Sequence, residues 1–85
     1  MSEIKTFGLT EAQTKAAEAI INGNVRVVDG YHIEDSEQFV NVWYEDALEH
    51  GDTDYAEFLK AAINGEAEIY SLYDDFQPLG DILVY

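Results

Sequence analysis

The sequence contains no cysteine, one proline and only four basic residues among its 85. Without cysteine, neither a disulfide framework nor a thiolate metal site can form. No apolar run approaches the length of a membrane-spanning helix, and the first residues lack the apolar core of a secretory signal. The absence of a proline-rich or low-complexity linker predicts a single domain over residues 1–85, and we expect a cytoplasmic protein.

Acidic residues far outnumber basic ones: there are 18 Asp and Glu, and the formal net charge is −14. Because 47% of the residues are hydrophobic, the chain is too apolar for a disordered acidic tail. After Arg26, Lys60 is the only base. Such a surface repels nucleic acid and anionic membranes and attracts basic proteins. We therefore expect a basic protein partner, no direct nucleic-acid binding and no membrane binding, with a monomer and a homodimer both left open.

Three helices are predicted from apolar spacing and from their end signals. Thr10, with Gln13 at the capping-box position, starts the first, and Asn22-Gly23 ends it. The second runs from Asp35 or Ser36 to about His50, and the third from Asp54 to Asn64.

Three strands complete the prediction, over Val25–Val28 towards Tyr31 or Ile33, over Ala67–Tyr73 and over Ile82–Tyr85, with Pro78 and Gly80 assigned to a loop. The expected fold is α+β, with a small, three-stranded, mainly antiparallel sheet covered on one face by three helices in the order α-β-α-α-β-β.

An acidic ladder on the second helix is the main functional signal. Its members are four residues apart and share one helix face: Glu37, Asn41, Glu45 and Glu49. Each step rises about 6 Å along the axis, which is comparable to phosphate spacing along nucleic acid. Further acids are predicted to continue the patch: Asp46, Asp52, Asp54 and Glu57. The alternative is a solvated helix face in an acidic protein.

Aromatic residues are the second signal, since Tyr and Trp dominate binding hot spots. Trp43 is predicted to pack in the core. Tyr44 lies beside the ladder on the helical wheel, and we expect it to be exposed and to anchor a partner.

Signals for catalysis, metals and cofactors are weak or absent. No phosphate-binding loop or nucleophile elbow is present, His32 and His50 are isolated, and Asp52-Thr53-Asp54 does not continue into a calcium loop. Asp35-Ser36-Glu37 resembles the Asp-Ser-Leu motif of phosphopantetheine carrier proteins in two residues, although a helix-capping serine explains it better. We expect no enzyme, no cofactor and no metal.

The stretch Glu66–Phe76, Glu-Ala-Glu-Ile-Tyr-Ser-Leu-Tyr-Asp-Asp-Phe, resembles the Glu-Glu-Trp-Ala-Ile-His-Asp-Tyr-Glu-Gly-Phe stretch of ArdA-type antirestriction proteins, without its Trp and Gly. The overall character is similar to the small acidic anti-defence proteins of phages and mobile elements, including anti-CRISPR proteins. This resemblance implies a nuclease, restriction enzyme or CRISPR effector as partner. A phage-encoded chain would act in the host bacterial cytoplasm.

Together, the charge and the resemblance predict a non-enzymatic inhibitor. Its acidic surface would mimic a phosphate backbone in the basic groove of a nucleic-acid-handling protein. Two alternatives stay open: an acidic interaction module, such as an antitoxin or assembly factor, without mimicry, and a domain whose acidity serves solubility at high salt.

Overall fold

A computed structural model of the chain describes residues 3–23, 27–28 and 30–85. The elements in chain order are β1 Ile4–Phe7, α1 Glu11–Gly23, β2 Val27–Val28, β3 Tyr31–Asp35, a 3₁₀ turn Glu37–Phe39, α2 Val40–Glu49, α3 Thr53–Ile63, β4 Glu68–Asp74 and β5 Gln77–Val84.

The strands form one antiparallel sheet in the order β1-β5-β4-β3-β2. Four strands have four to eight residues, and the two-residue β2 extends the edge beyond β3. The α+β class is confirmed, but the predicted three strands and their order are wrong. The prediction lacked β1, which pairs with β5 at the far end of the sequence, Ile4 opposite Val84.

Helices cover both faces of the sheet. On one face, Ala17 and Ile20 of α1 pack against Leu72 and Ile82. On the opposite face, residues of α2 and α3 surround Ile69 and Leu83. Neighbouring residues of a strand point to opposite faces, so Ile82 and Leu83 belong to different cores. The predicted coverage of a single face is therefore wrong, and the domain has three layers.

The first helix begins as its end signal predicts. The backbone N–H of Gln13 donates to the Thr10 hydroxyl at 3.1 Å, and the N–H of Thr10 donates to the Gln13 side-chain carbonyl at 2.9 Å. This reciprocal pair is a capping box. The structure describes α1 as far as Gly23, and residues 24–26, which follow the predicted helix end at Asn22-Gly23, lie outside the described residues.

The second helix is shorter than predicted. Asp35 ends β3, and the residues Glu37–Phe39 form a 3₁₀ turn before α2 starts at Val40. The Asp35 carboxylate accepts the N–H of Glu37 at 2.8 Å, a local bond that competes with regular helix. Of the predicted first long strand, Val27 and Val28 lie in β2, whereas Val25 and Arg26 are outside the described residues.

A tight turn joins β4 to β5, with Asp75 and Phe76 between the paired residues Asp74 and Gln77. Both turn residues have positive φ, 52° and 75°, as in a type I′ turn. A bulky residue is rare in this region of backbone space. The Phe76 side chain is 90% exposed, so packing does not compensate for the backbone conformation.

Phe76→Gly is therefore expected to stabilise the fold by about 1 kcal/mol, because glycine adopts positive φ without steric conflict. Chemical denaturation of the variant and the parent measures this difference. Phe76→Ala is the matched control, since it removes the ring but keeps the Cβ atom. If the glycine variant is no more stable than the alanine variant, the backbone carries no strain at this turn.

Candidate functional site

The outward surface of α2 carries three acids around an apolar side chain. Val42, Glu45, Asp46 and Glu49 follow the i, i+3, i+4, i+7 spacing of a single helix face, and all four are exposed. We call these four residues the outer face of α2. No hydrogen bond or ion pair engages the three carboxylates in the part of the chain that the structure describes.

The predicted ladder is thus changed in composition. Glu45 and Glu49 lie on the outer face of α2 with Asp46. Glu37 lies before the helix, in the 3₁₀ turn, where about three residues complete a turn and the four-residue spacing no longer aligns side chains. Together with Asp35, Glu37 lines a separate shallow depression at the end of β3.

Tyr44 is half-buried, contrary to the expectation that it is exposed. It packs with Trp43 against the core that contains Val40 and Leu59. Trp43 also stacks on Phe39, with ring centroids 5.8 Å apart. Trp43 was predicted to pack in the core, and it is partly buried at the border of the core. The apolar side chains that α2 and the preceding turn do expose are Phe39, Val42 and Leu48, with exposed fractions of 47%, 57% and 53%.

The remaining predicted acids lie at the α2–α3 corner and along α3. Asp52 precedes α3, and its side chain makes no capping hydrogen bond. Asp54 lies in the first turn of α3, where a negative charge interacts favourably with the helix dipole. Glu57 is 3.1 Å from the ammonium of Lys60. This hydrogen bond raises the pKa of Lys60 above its ordinary value and partly neutralises Glu57.

Asp52 and Asp54 also line a cleft that was not predicted. Its volume is about 500 Å³, and it lies between the start of α3 and the β1–β5 edge of the sheet. Its other lining side chains include Phe7, Tyr55, Leu79 and Asp81. We call it the aspartate cleft.

A buried polar network forms the inner wall of the aspartate cleft. Asp81 is 8% exposed, and its carboxylate accepts the Tyr55 hydroxyl at 2.5 Å and the Ser71 hydroxyl at 3.2 Å. Burial raises the pKa of Asp81, although the two hydrogen bonds oppose this. Burial, followed by the bond to Asp81, also raises the pKa of Tyr55. The sequence offered one signal for Asp81, namely that it is an acid directly before the apolar run Ile82–Val84.

Ser36 belongs to the same network. Its hydroxyl lies 2.7 Å from that of Ser71, and the residue is 3% exposed. A serine that carries a phosphopantetheine arm must reach solvent, so this burial argues against the carrier interpretation. Within residues 3–23, 27–28 and 30–85, no three His, Cys, Asp or Glu side chains are grouped so that they could hold a metal ion.

Among the described helices, none has the length and apolar character needed to cross a membrane. Comparison of the chain with protein-family models, with curated proteins and with solved structures finds no match. The resemblance of Glu66–Phe76 to antirestriction proteins therefore stays a prediction. The structure places this stretch in β4, its preceding loop and the β4–β5 turn.

Proposed function

We propose that this chain is a non-enzymatic inhibitor that binds the basic groove of a nucleic-acid-handling protein, such as a nuclease, restriction enzyme or CRISPR effector. The outer face of α2 is the proposed contact surface. The observation that carries this proposal is that Glu45, Asp46 and Glu49 lie together on one helix face, exposed and with no ion-pair partner among the described residues.

The lysines that the structure describes are engaged elsewhere. Lys5 lies over the Tyr85 ring, 5.4 Å from its centroid, Lys15 is 3.8 Å from Glu11, and Lys60 pairs with Glu57. No described lysine therefore relieves the repulsion among the acids of α2, which solvent ions or a cationic partner would reduce. A groove rich in Lys and Arg supplies that charge, and Glu45 and Glu49, about 6 Å apart along the axis, match the scale of successive phosphates.

The exposed apolar residues of α2 support a second candidate, an interaction module without nucleic-acid mimicry. Val42 lies amid the acids of the outer face, and Phe39 and Leu48 are exposed at the two ends of the helix. Contacts through these side chains would bury apolar area and depend little on salt. The salt dependence of binding therefore separates the two candidates.

Reversing Glu45 and Glu49 to Lys is expected to weaken partner binding about tenfold or more, because attraction to a basic groove becomes repulsion. The partner is first captured from bacterial lysate on the immobilised chain, eluted with a salt gradient and purified. Titrations of the parent and variant at roughly 0.05 M and 0.3 M salt then give the dissociation constants. Glu3→Lys/Glu18→Lys is the matched control, since both residues are exposed and lie outside the α2–α3 layer.

If the chain mimics nucleic acid, duplex DNA or RNA is expected to displace it from its partner, because the chain and the nucleic acid would occupy the same groove. Equal binding by the Glu45/Glu49 variant and the parent would rule out the outer face of α2 as the contact. Salt-independent binding that is lost in Val42→Ala, without competition by nucleic acid, would favour the interaction module.

A further inference from the structure

The turn between β4 and β5 presents an aromatic side chain to solvent. Phe76 is 90% exposed, and the next most exposed of the large apolar side chains in the described residues is Val42, at 57%. An isolated exposed apolar residue is ordinary in proteins, so exposure alone does not mark a contact. The backbone of Phe76 supplies a second, independent observation.

The φ of Phe76 is 75°, in a region of backbone space that glycine and asparagine normally occupy in such turns. The ring is too exposed to offset this cost by packing within the chain. Residues that hold an unfavourable backbone conformation without a gain in stability are concentrated at binding and active sites. The conformation and the exposure of Phe76 thus point to a contact made outside the chain.

Residues 74–77, which we call the hairpin tip, extend past the last paired residues of both neighbouring strands. On one side, β1 pairs with β5 only as far as Asp81, and on the other side the pairing of β3 with β4 ends at Asp74. The ladder between β4 and β5 comprises seven residue pairs and continues to the base of the tip. A projection supported in this way presents Phe76 to a concave surface with little loss of conformational freedom on binding.

The charges of the hairpin tip narrow the kind of surface that it fits. Asp74 and Asp75 directly precede Phe76 in the chain, and both are exposed. A membrane is unsuited to this tip, because the carboxylates would leave water together with the ring and the chain has a net charge of −14. A second copy carries the same net charge and repels the first. The complementary surface is an apolar pocket with lysine or arginine at its rim.

We propose that Phe76 inserts into an apolar pocket of a protein partner, whose basic rim faces Asp74 and Asp75. Aromatic side chains are enriched in interfaces, where a single ring buries a large apolar area. The two carboxylates at the edge of the contact orient the partner and speed its encounter with the tip. This contact goes beyond the proposed function, since it requires neither the outer face of α2 nor nucleic-acid mimicry.

The first test is photocrosslinking in bacterial cells that produce the chain with p-benzoylphenylalanine in place of Phe76. We expect a discrete crosslinked species that contains a second protein, with the attachment mapped by mass spectrometry to an apolar pocket bordered by lysine or arginine. The matched control carries the same group in place of Tyr85, which is 43% exposed and follows the opposite end of β5. The control should not give this species.

Titrations with the purified crosslinked protein then measure the contribution of the tip. Phe76→Gly is expected to weaken binding about tenfold to a hundredfold, because the ring no longer buries its apolar area. The same change is expected to stabilise the fold, so unfolding does not account for the loss. Asp75→Asn suits the positive φ and should weaken binding severalfold at low salt and less at high salt. Tyr85→Ala, which removes an exposed ring elsewhere, should leave the constant within about twofold.

Several results would overturn the assignment: no crosslinked species specific to position 76, a species made only of two copies of the chain, or an unchanged dissociation constant in Phe76→Gly. Binding of the parent to phosphatidylcholine vesicles that is lost in Phe76→Gly would identify a lipid contact instead. If Phe76→Gly loses binding and the Glu45/Glu49 variant does not, the tip is supported and the α2 surface is rejected. The reverse outcome rejects the tip alone.

Discussion

Replacing Gly80 by alanine is expected to lower the free energy of unfolding by about 2–3 kcal/mol. A Cβ atom at this position would lie 2.5 Å from the carbonyl oxygen of Phe7 and 2.8 Å from a methyl carbon of Leu9. The first of these atoms belongs to the backbone of β1, so the strand itself must move away from β5. For a domain of this size the loss is a large part of the total stability.

Urea unfolding of Gly80→Ala and the parent measures the effect. Gly65→Ala is the matched control, because a Cβ atom there meets nothing within 4 Å. That control still costs about 1 kcal/mol, since Gly65 has a φ of 79°. Equal midpoints for the two variants would show that β1 does not pack against Gly80 as described.

Asp81→Asn is expected to be more stable than the parent at pH 7, by on the order of 1–3 kcal/mol. Asparagine keeps an oxygen that accepts the Tyr55 hydroxyl and adds an N–H₂ group that donates to Ser71, but it carries no buried charge. The exchange therefore removes a desolvation penalty and retains the hydrogen bonds.

The pH dependence of this difference follows from the raised pKa of Asp81. The pKa of the carboxyl is higher in the folded state than its ordinary value of 3.8, so its protonated form stabilises the fold. This contribution to stability is complete below pH 3.8. The contribution is lost as pH rises through the folded-state pKa. The parent should thus match the variant near pH 3 and fall below it as pH approaches neutrality.

Denaturation curves between about pH 3 and pH 7 for both chains test this. Asp54→Asn is the control: Asp54 is exposed, so this variant should not show the gain in stability at pH 7 that Asp81→Asn shows. A stability difference that is constant across the range, or a parent more stable than Asp81→Asn at pH 7, would contradict a buried and unfavourable carboxylate.

Local signals in the sequence predicted local structure well. Thr10 and Gln13 specify the start of α1 through bonds within one helical turn. Apolar spacing located all three helices, although α2 starts at Val40 and not at Asp35 or Ser36. The strand β5 was predicted too short because Pro78 and Gly80 are typical loop residues. In the structure Pro78 lies beside a register shift between Leu72 and Tyr73, where a missing N–H is tolerated.

Long-range features were not predictable in the same way. Ile4–Phe7 is only four residues long, and its pairing with β5 has no local signal. One available signal for the two-sided burial was missed: Ile69 to Leu72 are at least half-buried without alternation, as in strands covered on both faces.

For the candidate site, residue type and helical spacing predicted Glu45, Asp46 and Glu49 as acids of one surface patch, and all three are exposed. The sequence did not indicate that Glu37 lies in a 3₁₀ turn, outside the ladder, or that Tyr44 packs against the core. The network of Asp81, Tyr55 and Ser71 depends on contacts between residues far apart in the sequence.

The pairing of β1 with β5 also bears on how the chain folds during synthesis. Ile4 leaves the ribosome about 80 residues before its partner Val84, so the sheet cannot be completed until nearly all of this sequence has emerged. Contacts so distant in sequence raise the contact order and slow folding. Before β5 is synthesised, β4 pairs on one side only, with β3. Its other side exposes unpaired backbone N–H and C=O groups, with which strands of other chains can pair. The large negative charge of the chain opposes such assembly, because like-charged chains repel each other.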